Sequence, residues 1–406
     1  MTRAEFAQRL GGSVHASSEP IIVDERDPLK WRQAFLAAIG GRGPVFLANP
    51  DWGSQERAVF NELCASKPKD WDAEAGWLMI PTGGTSGVIR LARHDQSTLS
   101  AAIAGYAEFF SEPQISAIGL LPLHHVGGLM GWLRCAYTGG RFLDADWSRL
   151  AVGDCSEVRP DGVTLSIVPT QLRRLLATPK GIGWLRGFVR VLVGGAALDR
   201  RLEVRAAEAG VRLVISYGST ETAAMMAARS GSNSESKAEA GLAPLPHISI
   251  ELDSTSQLRI KGSSLFRGYW PDSRDDAKGW QSGDRGEWTA HGRFEVCGRM
   301  DLTIVTGGEK VNPLEVETVL QQLCDDERVA VIGIPNDDWG QQVVVVHAIG
   351  VAVDLDALKA EGLARLAKFK WPKAAVVCAP WPINAMGKLD RTRLQEAAQA
   401  AIKQRG

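Results

Sequence analysis

The sequence predicts an α/β fold whose large N-terminal domain consists of layered, largely parallel sheets and helices. Five apolar, β-branched runs end abruptly at a polar turn. They begin at Trp77, Ile115, Val163, Val189 and Val211. Helical periodicity follows two of them, at 171–176 and 202–209, and apolar strands that alternate with helices are typical of buried parallel sheets. We expect the five turns to gather at one edge of the sheet, where α/β proteins bind their ligands.

A change in the pattern of helical and strand-like runs near Arg299 predicts a second, smaller domain. The stretch 230–240 is polar and low in complexity, which indicates a surface loop, and β-rich segments follow it. Beyond Arg299 helical and strand-like runs alternate, namely PLEVETVLQQL, RVAVIGIP, QVVVVHAIG, LDALKAEGLARLAKF and AAVVCA. We therefore expect a large domain over 1–299 and a small, mobile α+β domain over 300–406.

Length and charge exclude several classes of protein. The 406 residues are 45% hydrophobic, enough to bury an ordinary core. Lys and Arg number 46 against 47 Asp and Glu, which gives a net charge of −1. No field of one sign therefore indicates nucleic acid or an anionic membrane as a partner.

The cysteines and the N-terminus indicate the cellular compartment. The six cysteines lie far apart, without CxxC or zinc-ligand spacing, as is typical of reduced thiols. We expect neither disulfides nor a structural metal. The first residues, MTRAEFAQRLGG, lack the apolar core of a signal peptide, and no run of about 18 apolar residues occurs. The sequence predicts a cytoplasmic protein without membrane insertion.

The first candidate site is TGGTSG, which follows the strand that begins at Trp77. Its glycines allow backbone amides to approach a polyphosphate, and its hydroxyls can bind phosphate oxygens or Mg²⁺. The segment consists of Thr82, Gly83, Gly84, Thr85, Ser86 and Gly87. No GK[ST] closes it, so it is not a Walker A loop. Its residues alone fit either a phosphate-binding loop or a flexible turn.

The second candidate is SYGSTE, at 216–221. The ring of Tyr217 at a strand end can cover a purine face. Ser219 and Thr220 can hydrogen-bond a phosphate or carboxylate, and Glu221 can hold Mg²⁺ between phosphates. A polar turn that starts a helix is the alternative interpretation.

Two charged turns and one lysine complete the candidates. Asp284 in its turn suits contact with the hydroxyls of a ribose, and Arg299 can supply a further contact. Each turn also fits an ordinary surface salt bridge. Lys388, in NAMGKLDR near the C-terminus, fits a solvated surface charge as well as a functional group.

Together, and in this order, the motifs resemble those of the adenylate-forming superfamily: acyl-CoA synthetases, adenylation domains of peptide synthetases, and luciferases. The matching motifs are TGGTSG (82–87), PLHHVGG (122–128), GGAAL (194–198), YGSTE (217–221), GSSLFRGYW (262–270), SGD (282–284), GRMDLTIVTGGEKVNPLEVE (298–317) and NAMGKLDR (384–391). The resemblance implies an enzyme that converts a carboxylic acid, ATP and coenzyme A into a thioester through an acyl-adenylate, with Mg²⁺ bound.

The resemblance also implies the parts of an ATP site. The loop 82–87 would hold the β- and γ-phosphates, and Asp284 with Arg299 would hold the ribose. The nucleotide would lie against two further segments, which consist of Gly194, Gly195, Ala196, Tyr217, Gly218 and Ser219. Glu221, with Thr85 or Thr220, would place Mg²⁺.

A moving lysine is the remaining implied feature. Lys388 would contact the acyl carboxylate and the α-phosphate, where it would stabilise developing negative charge. The small domain would rotate about a hinge residue, Asp301. One orientation would bring Lys388 to the site, and the other would bring the Gly307–Gly308 loop to a thiol channel.

The chain departs from the family pattern in two places. The phosphate loop usually continues with Pro-Lys, whereas Val88, Ile89 and Arg90 stand here. Arg90 can carry the positive charge, although a guanidinium differs in geometry from an ammonium. Fewer residues precede Trp77 than in most acyl-CoA synthetases, so we expect a shortened N-terminal region.

For the acid, the sequences LPLHHVGGLMGWLR and SIVPTQLRRLL are most similar to those of o-succinylbenzoate:CoA ligases of menaquinone and phylloquinone biosynthesis. That resemblance places His125, rather than His124, beside the acyl group, although either histidine also fits a packing or turn role. A dicarboxylic acid needs a cation or several donors for its second carboxylate, and Arg134 is a candidate.

Other functions fit the same motifs. One alternative is a ligase for another aryl or fatty acid, or an adenylating enzyme that loads a carrier protein. A more remote one is a non-catalytic nucleotide-binding protein, although Glu221, Asp284, Arg299 and Lys388 together argue against it. Members of the family are often homodimers, and no interface is evident in the sequence.

Overall fold

The computed structural model describes residues 1–68, 71–83, 89–155, 159–231, 241–274, 278–289, 292–336, 338–383 and 389–403. Within these ranges the chain forms four β-sheets with helices around them. The predicted α/β fold is confirmed. None of the helices described is both long and apolar enough to cross a lipid bilayer.

The first sheet lies near the N-terminus. Its strands are β1 Ile21–Val23, β2 Val45–Leu47, β3 Leu78–Gly83 and β4 Ile89–His94. The first three pair in parallel, and β4 pairs antiparallel to β3. The helices of this part are α1 Arg3–Arg9, α2 Pro28–Ile39 and α3 Ser54–Ala65. Trp31 and Phe35 of α2 are buried against the strands, so this region shares its core with the next sheet.

The second sheet is the largest of the four. Its strands are β5 Ala117–Gly119, β6 Phe142–Asp144, β7 Thr164–Ile167, β8 Arg190–Val193, β9 Leu213–Ser219, β10 Ala224–Ser230 and β11 Ala243–Pro244. The order is β11-β10-β9-β8-β7-β5-β6, parallel from β6 to β9 and antiparallel from there to β11. Its helices are α4 Gln96–Phe109, α5 Val126–Thr138, α6 Trp147–Leu150, α7 Pro169–Leu176, α8 Pro179–Arg186 and α9 Arg200–Glu208.

Local sequence signals explain several of these helices. Asp95 accepts hydrogen bonds from the amides of Ser97 and Thr98 and so caps α4. Proline occupies the first turn of α2, α7 and α8, where no amide donor is needed. The strands β7 and β8 are buried, as their continuous apolar runs predict.

The third sheet is antiparallel and precedes the predicted domain boundary. Its strands, in order, are β12 Ile248–Leu252, β13 Gln257–Gly262, β14 Trp280–Trp288 and β15 Phe294–Arg299. The register of the last pair sets Asp284 opposite Arg299.

The last sheet is made from the C-terminal part of the chain. Its strands are β16 Ile304–Thr306, β17 Glu309–Val311, β18 Val329–Asn336, β19 Gly340–Ala348 and β20 Ala374–Cys378. The helices are α10 Pro313–Cys324, α11 Leu355–Leu363 and α12 Arg391–Lys403. Two apolar clusters of this part contain only residues after 303. The division into 1–299 and 300–406 stays a prediction, to which these separate clusters lend support.

Two expectations differ from the structure. The five apolar runs do not share one sheet, because the run at Trp77 forms β3 of the first sheet and the other four lie in the second. The α-helix in the run 355–369 ends at Leu363, and only a short 3-10 turn follows at 368–370. At the end of the helix Gly362 packs directly on the ring of Trp371, and glycine is a weak helix former.

Candidate functional site

The polar ends of β3 and β9 meet, although these strands belong to different sheets. Strand β9 runs through Ser219 into a short 3-10 turn at 220–222 that carries Glu221. The hydroxyl of Thr82, in β3, donates to Glu221 Oε1 at 3.4 Å. The first two predicted motifs are therefore brought together.

Glu221 is a buried carboxylate at this junction. Its side chain has 4% exposure, and the phenol of Tyr269 donates to its Oε1 at 2.6 Å. Burial, and then the neighbouring carboxylate, raise the pKa of Tyr269 above its usual value. The guanidinium of Arg90 lies 4.3 Å from the centre of the Tyr269 ring. Carboxylate and hydroxyl oxygens suit Mg²⁺, so Glu221 and Thr82 fit the ion that the motif predicts.

The turn that carries Glu221 is held from two sides. On one side the amide of Phe266 donates to the carbonyl of Glu221 at 2.9 Å. On the other, His94 Nε2 lies 2.8 Å from the carbonyl of Thr220, and His94 Nδ1 lies 3.0 Å from Thr98 Oγ1. Because a carbonyl only accepts, the proton of the imidazole is on Nε2. Thr220 is thus placed by its backbone, next to Glu221.

Burial makes His94 a source of acid sensitivity. It lowers the pKa of His94 from 6.5 to about 4. Unfolding lets this histidine take up a proton between those values, so the free energy of unfolding falls as pH drops from 6.5 towards 4. We expect His94→Gln to flatten this dependence by about 1.4 kcal/mol per pH unit in urea unfolding experiments. A slope for His94→Gln equal to that of the wild type would contradict the assignment.

The predicted ribose contacts form one connected group. The phenol of Tyr217 donates to the carboxylate of Asp284, and Arg299 Nη1 lies 3.3 Å from the other oxygen of Asp284. Arg299 also binds both carboxylate oxygens of Asp301, at 2.8 and 2.9 Å. Burial raises the pKa of Asp284, while the Tyr217 hydrogen bond and then Arg299 oppose this rise. The structure therefore gathers Tyr217, Asp284, Arg299 and the predicted hinge residue Asp301 in one network.

The glycines beside Tyr217 are set by close backbone packing. A Cβ on Gly194, at the end of β8, would lie 2.3 Å from Ser216 Oγ. A Cβ on Gly218 would lie 1.8 Å from the carbonyl oxygen of Ala224. Gly195 has a φ of +81°, which favours glycine. Strands β8 and β9 are neighbours, so the segments 194–196 and 217–219 leave the same edge of the sheet.

The two predicted acyl-site histidines differ in their surroundings. His125 is the N-cap residue of α5 and only partly buried. His124 is 7% exposed, and burial lowers its pKa to about 4. His124 lines a cavity of about 260 Å³ together with Trp31 and Phe142. His125 as the acyl neighbour stays a prediction.

Arg134, on α5, is a buried cation. Its side chain is 5% exposed, and its Nε and Nη2 have no hydrogen-bond partner among the described residues. The guanidinium carbon lies 4.2 Å from the centre of the Tyr106 ring. Burial lowers the pKa of Arg134, but an arginine stays protonated in proteins. A buried guanidinium without an anion is costly, so this position favours a negatively charged ligand group.

The Gly307–Gly308 loop lies in the C-terminal sheet, between β16 and β17. The amide of Gly307 donates to the carbonyl of Trp339 at 2.8 Å, and both glycines have positive φ, +56° and +83°. Two exposed ion pairs join the C-terminal part to helices beside the second sheet: Arg173 of α7 pairs with Glu327, and Arg201 of α9 pairs with Asp325, whose side chain is 90% exposed. Exposed pairs contribute little stability, which is compatible with the predicted motion.

Five predicted site residues lie outside the described residues. They are Gly84, Thr85, Ser86, Gly87 and Lys388. Of the phosphate loop, the structure describes Thr82 and the backbone of Gly83.

Sequence reasoning missed two side chains of this region. Tyr269 lies in the matched motif GSSLFRGYW, which could have indicated it. His94 carried no signal, because it lies outside the matched motifs. Its importance is visible only from its contact with the carbonyl of Thr220.

Comparison with known proteins gives a consistent result. A family model described as AMP-binding enzyme matches residues 14–270. The indoleacetate–CoA ligase of Aromatoleum aromaticum is 29% identical over 345 residues, covering 79% of this chain and 66% of that protein. The 2-succinylbenzoate–CoA ligase of Salmonella typhimurium is 30% identical over 336 residues, covering 80% and 70%. The chain thus spans about two thirds of the length of these curated relatives.

A solved structure shows the same fold. The o-succinylbenzoate-CoA synthetase of Bacillus subtilis, in complex with the acyl-adenylate OSB-AMP, superposes with a TM-score of 0.77. The sequences are 22% identical, and the match covers 97% of this chain and 91% of that one. The likeness concerns the whole architecture, including the C-terminal sheet.

Proposed function

Because the chain belongs to the family of AMP-binding enzymes, we propose that it is an ATP-dependent carboxylic acid:CoA ligase. A carboxylate oxygen of the acid attacks the α-phosphorus of ATP, and the bond to the β-phosphate breaks. The products are an acyl-adenylate and pyrophosphate. The sulfur of coenzyme A then attacks the acyl carbon, AMP leaves, and a thioester forms. The proximity of three motifs supports this proposal: Thr82 of TGGTSG contacts Glu221 of SYGSTE, and Tyr217 of SYGSTE contacts Asp284 of SGD.

Different described residues would bind different parts of ATP. Thr82 begins the phosphate loop, and Arg90 adds positive charge beside Tyr269. Tyr217 and the 194–196 backbone offer the surface for adenine, and the Asp284–Arg299 pair offers oxygen and guanidinium contacts to ribose. Glu221 would hold Mg²⁺, which neutralises phosphate charge when bound.

We propose that the acid is o-succinylbenzoate, so that the product would serve menaquinone or phylloquinone biosynthesis. The likeness to the 2-succinylbenzoate–CoA ligase of Salmonella typhimurium carries this choice. Arg134, whose Nε and Nη2 have no hydrogen-bond partner among the described residues, is the candidate for the second carboxylate.

A monocarboxylic aryl acid is the second candidate. The likeness to an indoleacetate–CoA ligase favours it. Such an acid has no second carboxylate for Arg134, the candidate cation, so the two acids make different demands on this residue. A fatty acid, a carrier protein as acceptor and a non-catalytic role are weaker alternatives, since no described contact favours them.

The second half-reaction needs the C-terminal part to rotate. We propose that Asp301 is the hinge between a domain of 1–299 and one of 300–406. One orientation would bring Lys388 to the carboxylate and the α-phosphate. The other orientation would bring the Gly307–Gly308 loop to coenzyme A. We place the reaction in the cytoplasm and expect the protein to act as a homodimer.

The test is a panel of acids with ATP and Mg²⁺, with and without coenzyme A. The panel contains o-succinylbenzoate, indoleacetate, benzoate and a fatty acid, and pyrophosphate, AMP and acyl-CoA are quantified. A thioester from o-succinylbenzoate alone supports the proposal in full. A thioester from indoleacetate instead keeps the reaction and discards the acid. No pyrophosphate with any acid would contradict adenylation itself.

A variant of Lys388 separates catalysis from nucleotide binding. We expect Lys388→Ala to lower pyrophosphate release while ATP binding, measured by calorimetry, is retained. Lys373→Ala, at another lysine of the C-terminal part, is the matched control and should keep adenylation. Equal activity of Lys388→Ala and the control would remove Lys388 from the proposed mechanism.

A further inference from the structure

The segment between β13 and β14 holds the turn that carries Glu221 at three points. Ser264 Oγ donates to the carbonyl of Thr222 at 3.2 Å. The amide of Phe266 donates to the carbonyl of Glu221 at 2.9 Å. The third contact is the 2.6 Å hydrogen bond from the phenol of Tyr269 to Glu221 Oε1. The first two contacts fix the backbone of the turn, whereas the third fixes the orientation of the carboxylate.

This segment is itself paired with β4, the strand that follows the phosphate loop. The amide of Arg267 donates to the carbonyl of Arg93 at 2.8 Å. Beyond the next two residues, the amide of Trp270 donates to the carbonyl of Leu91, also at 2.8 Å. The backbone on either side of Tyr269 is therefore fixed to β4.

The ring of Tyr269 is held from two directions. The guanidinium carbon of Arg90 lies 4.3 Å from the ring centre, and the ring of Phe266 lies 4.8 Å away at an angle of 62°. A cation over an aromatic face and an edge-to-face pair of rings are both favourable contacts that depend on ring position. With the ring held in this way, the phenol oxygen stays at hydrogen-bonding distance from Glu221 Oε1.

The two oxygens of the Glu221 carboxylate are treated differently by the protein. Tyr269 and Thr82, the latter at 3.4 Å, both donate to Oε1. The described part of the chain supplies no donor to Oε2. Carboxylates that bind metal ions are themselves oriented by hydrogen bonds from neighbouring residues, and one donor-held oxygen beside one open oxygen fits that role.

We infer that Tyr269 is a positioning residue for the magnesium site, because its phenol fixes the Glu221 carboxylate through one oxygen and leaves the other oxygen to bind the ion. This inference rests on the proposed function and adds a residue to it. Tyr269 acts only through Glu221 and contacts neither the substrate nor the ion. Loss of its hydroxyl should therefore weaken binding of the ion without loosening the fold.

The test removes a single oxygen atom from the protein. Tyr269→Phe keeps the ring and its packing but lacks the donor. Tyr137→Phe is the matched control, because Tyr137 is also partly buried and also has a guanidinium over its ring, that of Arg9 at 3.9 Å. The hydroxyl of Tyr137 donates to Met1 Sδ, at 3.8 Å, instead of a carboxylate.

Two quantities are measured for the wild type and both variants. One is independent of turnover: the affinity for ATP, by calorimetry, in excess Mg²⁺ and in a chelator. The other is pyrophosphate release as a function of free Mg²⁺ concentration. Tyr269→Phe should lose about tenfold in affinity for ATP with Mg²⁺ present, as expected when a metal ligand loses an orienting partner, and less than about twofold in the chelator. The half-saturating Mg²⁺ concentration should rise about tenfold, whereas Tyr137→Phe should match the wild type.

The results that would overturn the inference are of two kinds. An equal loss of ATP affinity with and without Mg²⁺ would show that Tyr269 only supports the turn, and a Tyr269→Phe variant equal to the wild type would show that its hydroxyl has no role. The proposed function stands in both cases. A wild type whose affinity for ATP does not depend on Mg²⁺ would instead contradict the assignment of Glu221 to the ion, and the role of Tyr269 with it.

Discussion

The Glu221→Gln variant is expected to release pyrophosphate about 1,000-fold more slowly than the wild type, because the charge that places Mg²⁺ is lost. Glutamine has nearly the same volume and can still accept the hydrogen bond from Tyr269. The fold should therefore survive, with a melting temperature close to that of the wild type. The measurement is pyrophosphate release as a function of Mg²⁺ concentration, in which the half-saturating concentration should rise.

A second buried glutamate provides the control for this variant. Glu203, on α9, is 1% exposed and pairs with Arg229 at 2.5 Å. We expect Glu203→Gln to lower the melting temperature, since Arg229 loses its counter-charge, and to keep the Mg²⁺ requirement. A Glu221→Gln variant with the wild-type rate at low Mg²⁺ would contradict the metal role.

The Arg134→Met variant is expected to lose about 100-fold in kcat/KM for o-succinylbenzoate, because a desolvated carboxylate would have no counter-charge. Activity on 3-benzoylpropionate, which lacks the ring carboxylate, should be retained. The melting temperature should stay the same or rise, since an apolar side chain of similar length removes a buried charge that has no counter-charge among the residues the structure describes. Steady-state kinetics on both acids and thermal unfolding together check the prediction.

Arg190 is the matched control, because it has a carboxylate counter-charge and Arg134 has none among the described residues. Its guanidinium also lies 4.2 Å from an aromatic ring, that of Phe110, but it pairs with Glu112. Arg190→Met should lower the melting temperature and keep the preference between the two acids. If Arg134→Met behaves in the same way, Arg134 is a structural residue and does not bind the acid.

The local elements of the fold could be predicted from the sequence, but their pairing could not. Apolar runs identified β3, β7, β8 and β9, because continuous burial requires continuous apolar residues. The same pattern does not tell which strands are neighbours. It therefore could not place β3 in a sheet different from that of the other strands, since pairing depends on contacts between distant parts of the chain.

The same limit applies to the candidate site. Glu221, Asp284 and Arg299 could be proposed because each lies in a recognisable motif. Tyr269 and His94 depend on partners far away in sequence, at positions 221 and 220. The lack of a counter-charge for Arg134 among the described residues is also not visible in the sequence, because it is a property of the folded chain.

The guanidinium of Arg299 binds Asp284 and Asp301 at the same time. If Asp284 binds a ribose as proposed, it takes a different share of the positive charge of Arg299, and the hold of Arg299 on Asp301 changes with it. Binding of a nucleotide would then alter the torsional freedom of the proposed hinge residue through the charge of a single arginine.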